Sequence, residues 1–161
     1  LAMSSAASDV YKRQTNMLLK FNGQLAADNL DGADQLSLGG PSAVRAYPSN
    51  EAAGDSGFVA SVELKRNLFK NVESTLFYDY GKIKLHKKLW NDWNSTNTGL
   101  KNNYHLQGYG VSLGIPIFNS FNVNASFARK ISHNSGRDSS GNDVDGLNWQ
   151  DRGLISINGR F

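Results

Sequence analysis

From Thr15 onward, apolar and polar residues alternate in six separate stretches, the period-two signature of extended strands with each face in a different environment. In 15–28, Met17, Leu19, Phe21, Leu25 and Ala27 share one parity and Asn16, Lys20, Asn22 and Gln24 the other, with Leu18 as the bad break. In 58–68, Phe58, Ala60, Val62 and Leu64 oppose Ser61, Glu63 and Lys65, and in 72–84, Leu76, Tyr78 and Tyr80 oppose Glu73, Thr75 and Asp79. Tyr109, Val111, Leu113 and Ile115 oppose three glycines and Ser112 in 104–117. In 121–131, Phe121, Val123, Ala125 and Phe127 oppose Asn122, Asn124, Ser126 and Lys130. The last stretch, 149–161, sets Ile155, Ile157 and Phe161 against Ser156, Asn158 and Arg160. These strands leave no room for a helix-sized element, so the expected fold is all-β and antiparallel.

The connections alternate in length. Residues 29–56, 85–103 and 132–148 are long, and 67–71 and 116–120 are short. Long loops at one end and tight turns at the other are the habit of outer-membrane barrels, which would put the chain's last residue on the periplasmic side. Phe58, Tyr78, Tyr80, Tyr104, Tyr109, Phe118, Phe121 and Trp149 lie mostly near strand ends, where interfacial girdles of aromatic residues form. A water-soluble antiparallel sandwich also alternates. The charges Lys20, Glu63, Lys65, Asp79 and Lys130 keep to the polar parity, which favours a sheet between lipid and water.

Composition narrows the classes. The 161 residues carry a formal charge of +3, too mild to argue for nucleic acid. Cysteine is absent, which removes disulfides, thiolate metal sites and thiol nucleophiles. No apolar run approaches the roughly 18 residues of a spanning helix, a test that strands of a barrel escape. Residues 1–14, LAMSSAASDVYKRQ, lack the apolar core of a signal peptide and resemble translated sequencing-adapter text. They are expected to be foreign, with the native chain a C-terminal piece running over 15–161.

The loop GGPSAVRAYPSNEAAGDSG, 39–57, is long for a simple strand connection. With the following strand it resembles the VRGY-type loop of two-partner secretion transporters, the haemolysin secretion/activation (ShlB/FhaC/HecB) family. Gly39, Gly40, Val44, Arg45, Tyr47, Glu51, Gly54, Asp55, Gly57, Ser61, Glu63 and Leu64 fit its motif, and Ala46 replaces the usual glycine. The resemblance implies that 15–161 forms the last six strands of a sixteen-stranded transmembrane barrel, with loop 29–56 folded back into the lumen. Inside a lumen an arginine needs a carboxylate. The family supplies one from an F-x-D-x-G strand, which here is Phe77, Asp79 and Gly81. Arg45 is therefore expected to pair with Asp79, with Glu63 and Lys65 on the lumen wall.

The function implied is an outer-membrane pore that secretes one large haemolysin- or adhesin-like exoprotein, captured by upstream POTRA domains outside this chain. Partners implied are that exoprotein, the barrel assembly machinery, the lipid bilayer and lipopolysaccharide. Ile155, Ile157 and Phe161 form the expected assembly signal of the last strand. An assembly insertase of the same superfamily would share both motifs, but its loop more usually reads VRGF. A soluble β-sandwich binding module is the remaining alternative.

Other candidates are weak. His86, His105 and His133 lack metal-ligand spacing, and 138–146 lacks the ligand spacing and closing Glu of a calcium loop. The basic run 82–88 could meet lipopolysaccharide phosphates, but a solvated strand end is the simpler reading. No cofactor, metal or catalytic constellation is expected.

Overall fold

The computed structural model of the protein describes residues 15–68, 72–117 and 121–159. The six alternating stretches form β1 (Thr15–Gln24), β4 (Ser56–Asn67), β5 (Glu73–Lys84), β6 (Asn103–Ile117), β7 (Phe121–Lys130) and β8 (Asp151–Gly159). Two short strands, β2 (Leu36–Ser37) and β3 (Ala53–Gly54), pair with each other inside the long loop between β1 and β4. The large sheet is one antiparallel meander in the order β1-β4-β5-β6-β7-β8, so each strand pairs with its nearest large-strand neighbours in sequence. No α-helix occurs among the described residues.

Register follows the alternation. Leu64, Leu76, Val111 and Phe127 fall in one cross-strand row, and Ser61, Asp79, Gly108 and Lys130 in another. A one-residue slip in any pair would exchange the two faces. One face is bare and apolar: Met17, Leu19, Phe21, Val62, Leu64, Leu76, Val111, Leu113, Phe127, Ile155 and Ile157 are all exposed. A contiguous surface of this kind on a folded chain marks contact with lipid or another protein. Phe21, Phe58, Tyr80 and His105 follow one another along this face near the long-loop end, with neighbouring ring centroids 5.6 to 5.9 Å apart.

The opposite face is covered by the β1–β4 loop, and here two expectations need correction. This face is not uniformly polar: Val59, Phe77, Ile83, Leu106 and Ala128 are buried on it, because the loop brings apolar residues of its own. The strand limits also shift. β1 stops at Gln24, since the next turn satisfies its backbone elsewhere, with the Ala26 N–H donating to Ser56 Oγ at 3.0 Å. Leu25 and Ala27 therefore lie in the β1–β4 loop, and Trp149 lies in the β7–β8 connection, two residues before β8 begins. Residues 1–14, Phe118, Arg160 and Phe161 lie outside the described residues.

If the bare face lies in hydrocarbon, Leu76→Arg should destabilise the full-length protein by about 2–4 kcal/mol. Denaturant unfolding in lipid vesicles measures this. A change near zero would mean that the face meets water.

Candidate functional site

The β1–β4 loop is a compact unit held by its own backbone. Val44 N donates to Leu38 O at 2.8 Å, Gly39 N to Glu51 O at 3.0 Å, and Gly40 N to Tyr47 O at 3.2 Å. These bonds bring the two arms of the loop together at Gly39. A Cβ on Gly39 would lie 2.1 Å from Pro48 O, so only glycine permits the crossing. Gly40 has φ 116°, a conformation that costs a glycine little.

The folded tip delivers Arg45 onto β4 and β5. Its Nε donates to Asp79 Oδ2 at 2.9 Å and its Nη2 to Asp79 Oδ1 at 2.8 Å, the bidentate geometry that a planar guanidinium favours. The Arg45 backbone N–H adds a bond to Asp79 Oδ2 at 3.1 Å. Nη1 lies 3.0 Å from Glu63 Oε1, and Nη2 also donates to Ser61 Oγ, which in turn donates to Asp79 Oδ1. Cζ stands 3.5 Å from the centroid of the Phe77 ring. Lys20 Nζ donates to Glu63 Oε1 at 2.8 Å, so two cations face two buried carboxylates. Burial alone would lower the Arg45 pKa, but the charge and hydrogen bonds of Asp79 and Glu63 outweigh it and keep the guanidinium protonated. Such a cluster is poor evidence for net stability, because desolvation offsets most of the attraction. What it enforces is position, since removing one partner strands the other.

Glycines on the strands let the tip sit close to the sheet. A Cβ on Gly108 would lie 2.5 Å from Ala46 Cβ, one on Gly81 would meet Leu38 and Val44 at 3.0 to 3.1 Å, and one on Gly110 would strike the Phe77 ring. Leu38, Val44, Ala46 and Tyr47 are buried in this seat together with Val59, Ile83, Leu106 and Ala128.

The far arm of the loop carries Glu51 and Asp55. Burial pushes the Glu51 carboxyl above its ordinary value and the neighbouring Asp143 charge adds to this, against bonds from Val144 and Asn134 and the charge of Lys130. Tyr47 is pushed up to about 12, chiefly by burial, and its hydroxyl donates to Ser132 O at 3.0 Å. Asp55 accepts from Lys87 N at 2.7 Å, Gln35 Nε2 at 3.0 Å and Leu30 N at 3.1 Å. Burial would raise its pKa, but these donors, helped by the charge of His86, hold it below the ordinary value.

The structure thus brings together Gly39, Gly40, Val44, Arg45, Ala46 and Tyr47 with Phe77, Asp79 and Gly81, and adds Glu63 as a second carboxylate for Arg45. Lys65 joins the edge of the cluster, 3.7 Å from Glu63 and 3.4 Å from Glu73. Gly54 and Gly57 pack against Ile83 and the β5 backbone. Ile155 and Ile157 lie on the bare face, remote from the loop. Asn134 is a buried partner of the loop and Asp143 a buried partner of Asn134, and sequence reasoning missed both. Both sit in a polar loop, and 83 residues separate Asn134 from Glu51, so no spacing links the set to the Arg45 loop. The carboxylates of 138–146 are taken by protein donors: Asp143 by Lys130, Asp145 by Arg152, and Asp138 by the N–H groups of Ser140 and Asn142.

The family described as Haemolysin secretion/activation protein ShlB/FhaC/HecB matches residues 3–115. The chain belongs to this family. The ShlB/FhaC/HecB match takes in the whole Arg45 loop, Glu63 and the Phe77–Asp79–Gly81 strand; it starts inside the segment expected to be foreign and ends within β6. The chain is also 33% identical over 117 residues to the heme/hemopexin transporter protein HuxB of Haemophilus influenzae strain Rd, covering 70% of this chain and 20% of HuxB. HuxB of strain 86-028NP matches with the same identity and shares. The chain therefore spans about a fifth of the length of these relatives. No solved structure matches it.

Two predictions follow from this geometry. Arg45 is the one Lys or Arg within 29–56, so tryptic cleavage at Arg45–Ala46 in the full-length protein reports loop release. Gly108→Ala should accelerate that cut through overpacking of about 1–3 kcal/mol, and adding Ala46→Gly should restore slow cleavage by removing the clashing methyl. No restoration would contradict the close approach. Asp55, whose folded pKa lies below that of an ordinary aspartate, contributes stability that is present above the ordinary value and lost as pH falls through the folded one. Hydrogen exchange at the Leu30 and Lys87 amides, corrected for intrinsic rate, should rise over that acid range and lose this pH dependence in Asp55→Asn.

Proposed function

We propose that the intact protein is an outer-membrane pore that exports a large partner protein by two-partner secretion. The observation that carries this reading is the Arg45 loop, which spans the family's motif and lies on the charged face of a sheet whose other face is bare and apolar. In a closed barrel the bare face meets lipid and the loop-covered face lines the lumen. Unpaired backbone groups cannot rest in hydrocarbon, so the outer strands β1 and β8 would be completed by the strands that this chain lacks relative to HuxB-sized proteins.

Polar side chains on the lumen wall give an unfolded chain in transit hydrogen-bond partners in water. The loop occupies the wall between β4 and β7, so it plugs this part of the passage at rest and is displaced when the partner enters. Folding of the partner outside would favour outward movement. The partner is haemolysin- or adhesin-like by family, and the likeness to HuxB adds a heme- or hemopexin-related protein to that class. Ala46, where insertases of the superfamily more usually keep glycine, favours secretion, and so does the match to a secretion family.

Deleting the gene in its own host should remove one large protein from the culture fluid, and the full-length gene should restore it. Asp79→Ala, at normal barrel level, should cut that secretion by about tenfold or more, because Arg45 loses its bidentate partner in a buried site. An unchanged set of secreted proteins after deletion would overturn the export reading.

A further inference from the structure

We infer that the loop joining β7 and β8, residues 131–150, is a second clamp on the Arg45 loop, with Lys130, Asn134 and Asp143 as its positioning residues; this deepens the pore reading above and rests on it. Glu51 is the point of attachment. Its Oε1 accepts from Asn134 Nδ2 at 2.7 Å and its Oε2 from Val144 N at 2.8 Å. Asn134 Nδ2 also donates to Asp143 Oδ1 at 3.1 Å, and Asn134 Oδ1 accepts the Gly136 N–H. Asp143 Oδ2 accepts from Lys130 Nζ, which stands 5.0 Å from the centroid of the Tyr47 ring. Tyr47 closes the circuit through Ser132 O.

Glu51, Asn134, Asp143 and Lys130 are all buried. Hydrophobic packing would stabilise such a site at least as well as an ion pair, so the charges argue for specified position. The backbone agrees. Glu51 is flanked by two residues in the left-handed region, Asn50 at φ 64° and Ala52 at φ 58°. Alanine is disfavoured there, and such residues persist where their surroundings over-determine them. The strained segment aims Glu51 at Asn134 and the Val144 N–H.

Beyond the contacts of Asp28, Asn29 and Asp55 with Lys87 and Lys88 at its base, the tip of the Arg45 loop is therefore tied twice, on different strands. Arg45 binds β4 and β5, whereas Glu51 and Tyr47 bind the end of β7 and the loop that follows. The second tie draws on residues beyond the stretch that matches the family. The tip leaves the sheet only when both of these ties open, so a ligand or partner that displaces 131–150 also loosens the plug.

Lys130→Gln and Asp143→Asn keep side-chain size while removing the charge pair. In the full-length protein in outer-membrane vesicles, with heat-modifiable gel mobility showing a folded barrel, each should speed tryptic cleavage at Arg45–Ala46 by about tenfold. The double variant should be no faster than the faster single one, because the residues act as a unit. Wild-type cleavage rates in folded variants, or independent multiplying effects, would overturn the clamp. If Lys130→Gln does not fold, Asn134→Ala applies the same test. Cleavage needs no exported partner. Faster cleavage in a protein that exports nothing keeps the clamp and sinks the pore reading, while unchanged cleavage beside normal secretion sinks the clamp alone.

Discussion

A buried guanidinium must be neutralised where it lies, and the arrangement around Arg45 follows from that requirement. Asp79 takes it in a bidentate grip, Glu63 takes the remaining nitrogen, and Ser61 bridges to Asp79. These groups lie on adjacent strands with the same parity, which holds only if β4 and β5 keep their register. The ion cluster thus locks the sheet's register as well as the loop's place on it. The glycines at 81 and 108 are the steric counterpart of the same constraint, since larger residues would hold the loop off the wall.

The two faces of the sheet solve different problems. On the bare face no other described part of the chain packs against the side chains, so plain alternation of Leu, Val, Ile and aromatic residues suffices. On the covered face the strands must accommodate a specific loop, so small, charged and apolar residues mix according to what sits above each. Phe77 has the parity of Asp79 because it floors the Arg45 site, and Ile83 and Leu106 do so because they underlie the loop's apolar residues.

This division explains what could be read from the sequence. Six strands and their parity were legible because a period of two survives locally. Arg45 and Asp79 could be connected because each sits in a distinctive motif, although 34 residues separate them. The alternation put Glu63 on the same face as Asp79 but not beside Arg45, since parity gives a face and not a contact. Lys130, Asn134 and Asp143 were invisible as a unit: their geometry depends on how two polar loops fold over one another. The end of β1 was misjudged because Leu25 and Ala27 continue the alternation after the backbone has turned away.

The central claim is that residue 45 sits inside a passage whose outer wall faces lipid. Electron cryo-microscopy of the full-length protein in lipid nanodiscs tests it most directly. The expected map places the Arg45 guanidinium between Asp79 and Glu63 within a closed barrel, with lipid density against Leu64, Leu76 and Val111. A map with Arg45 in bulk solvent away from Asp79, or with those apolar residues packed into a sealed protein interior, would contradict it.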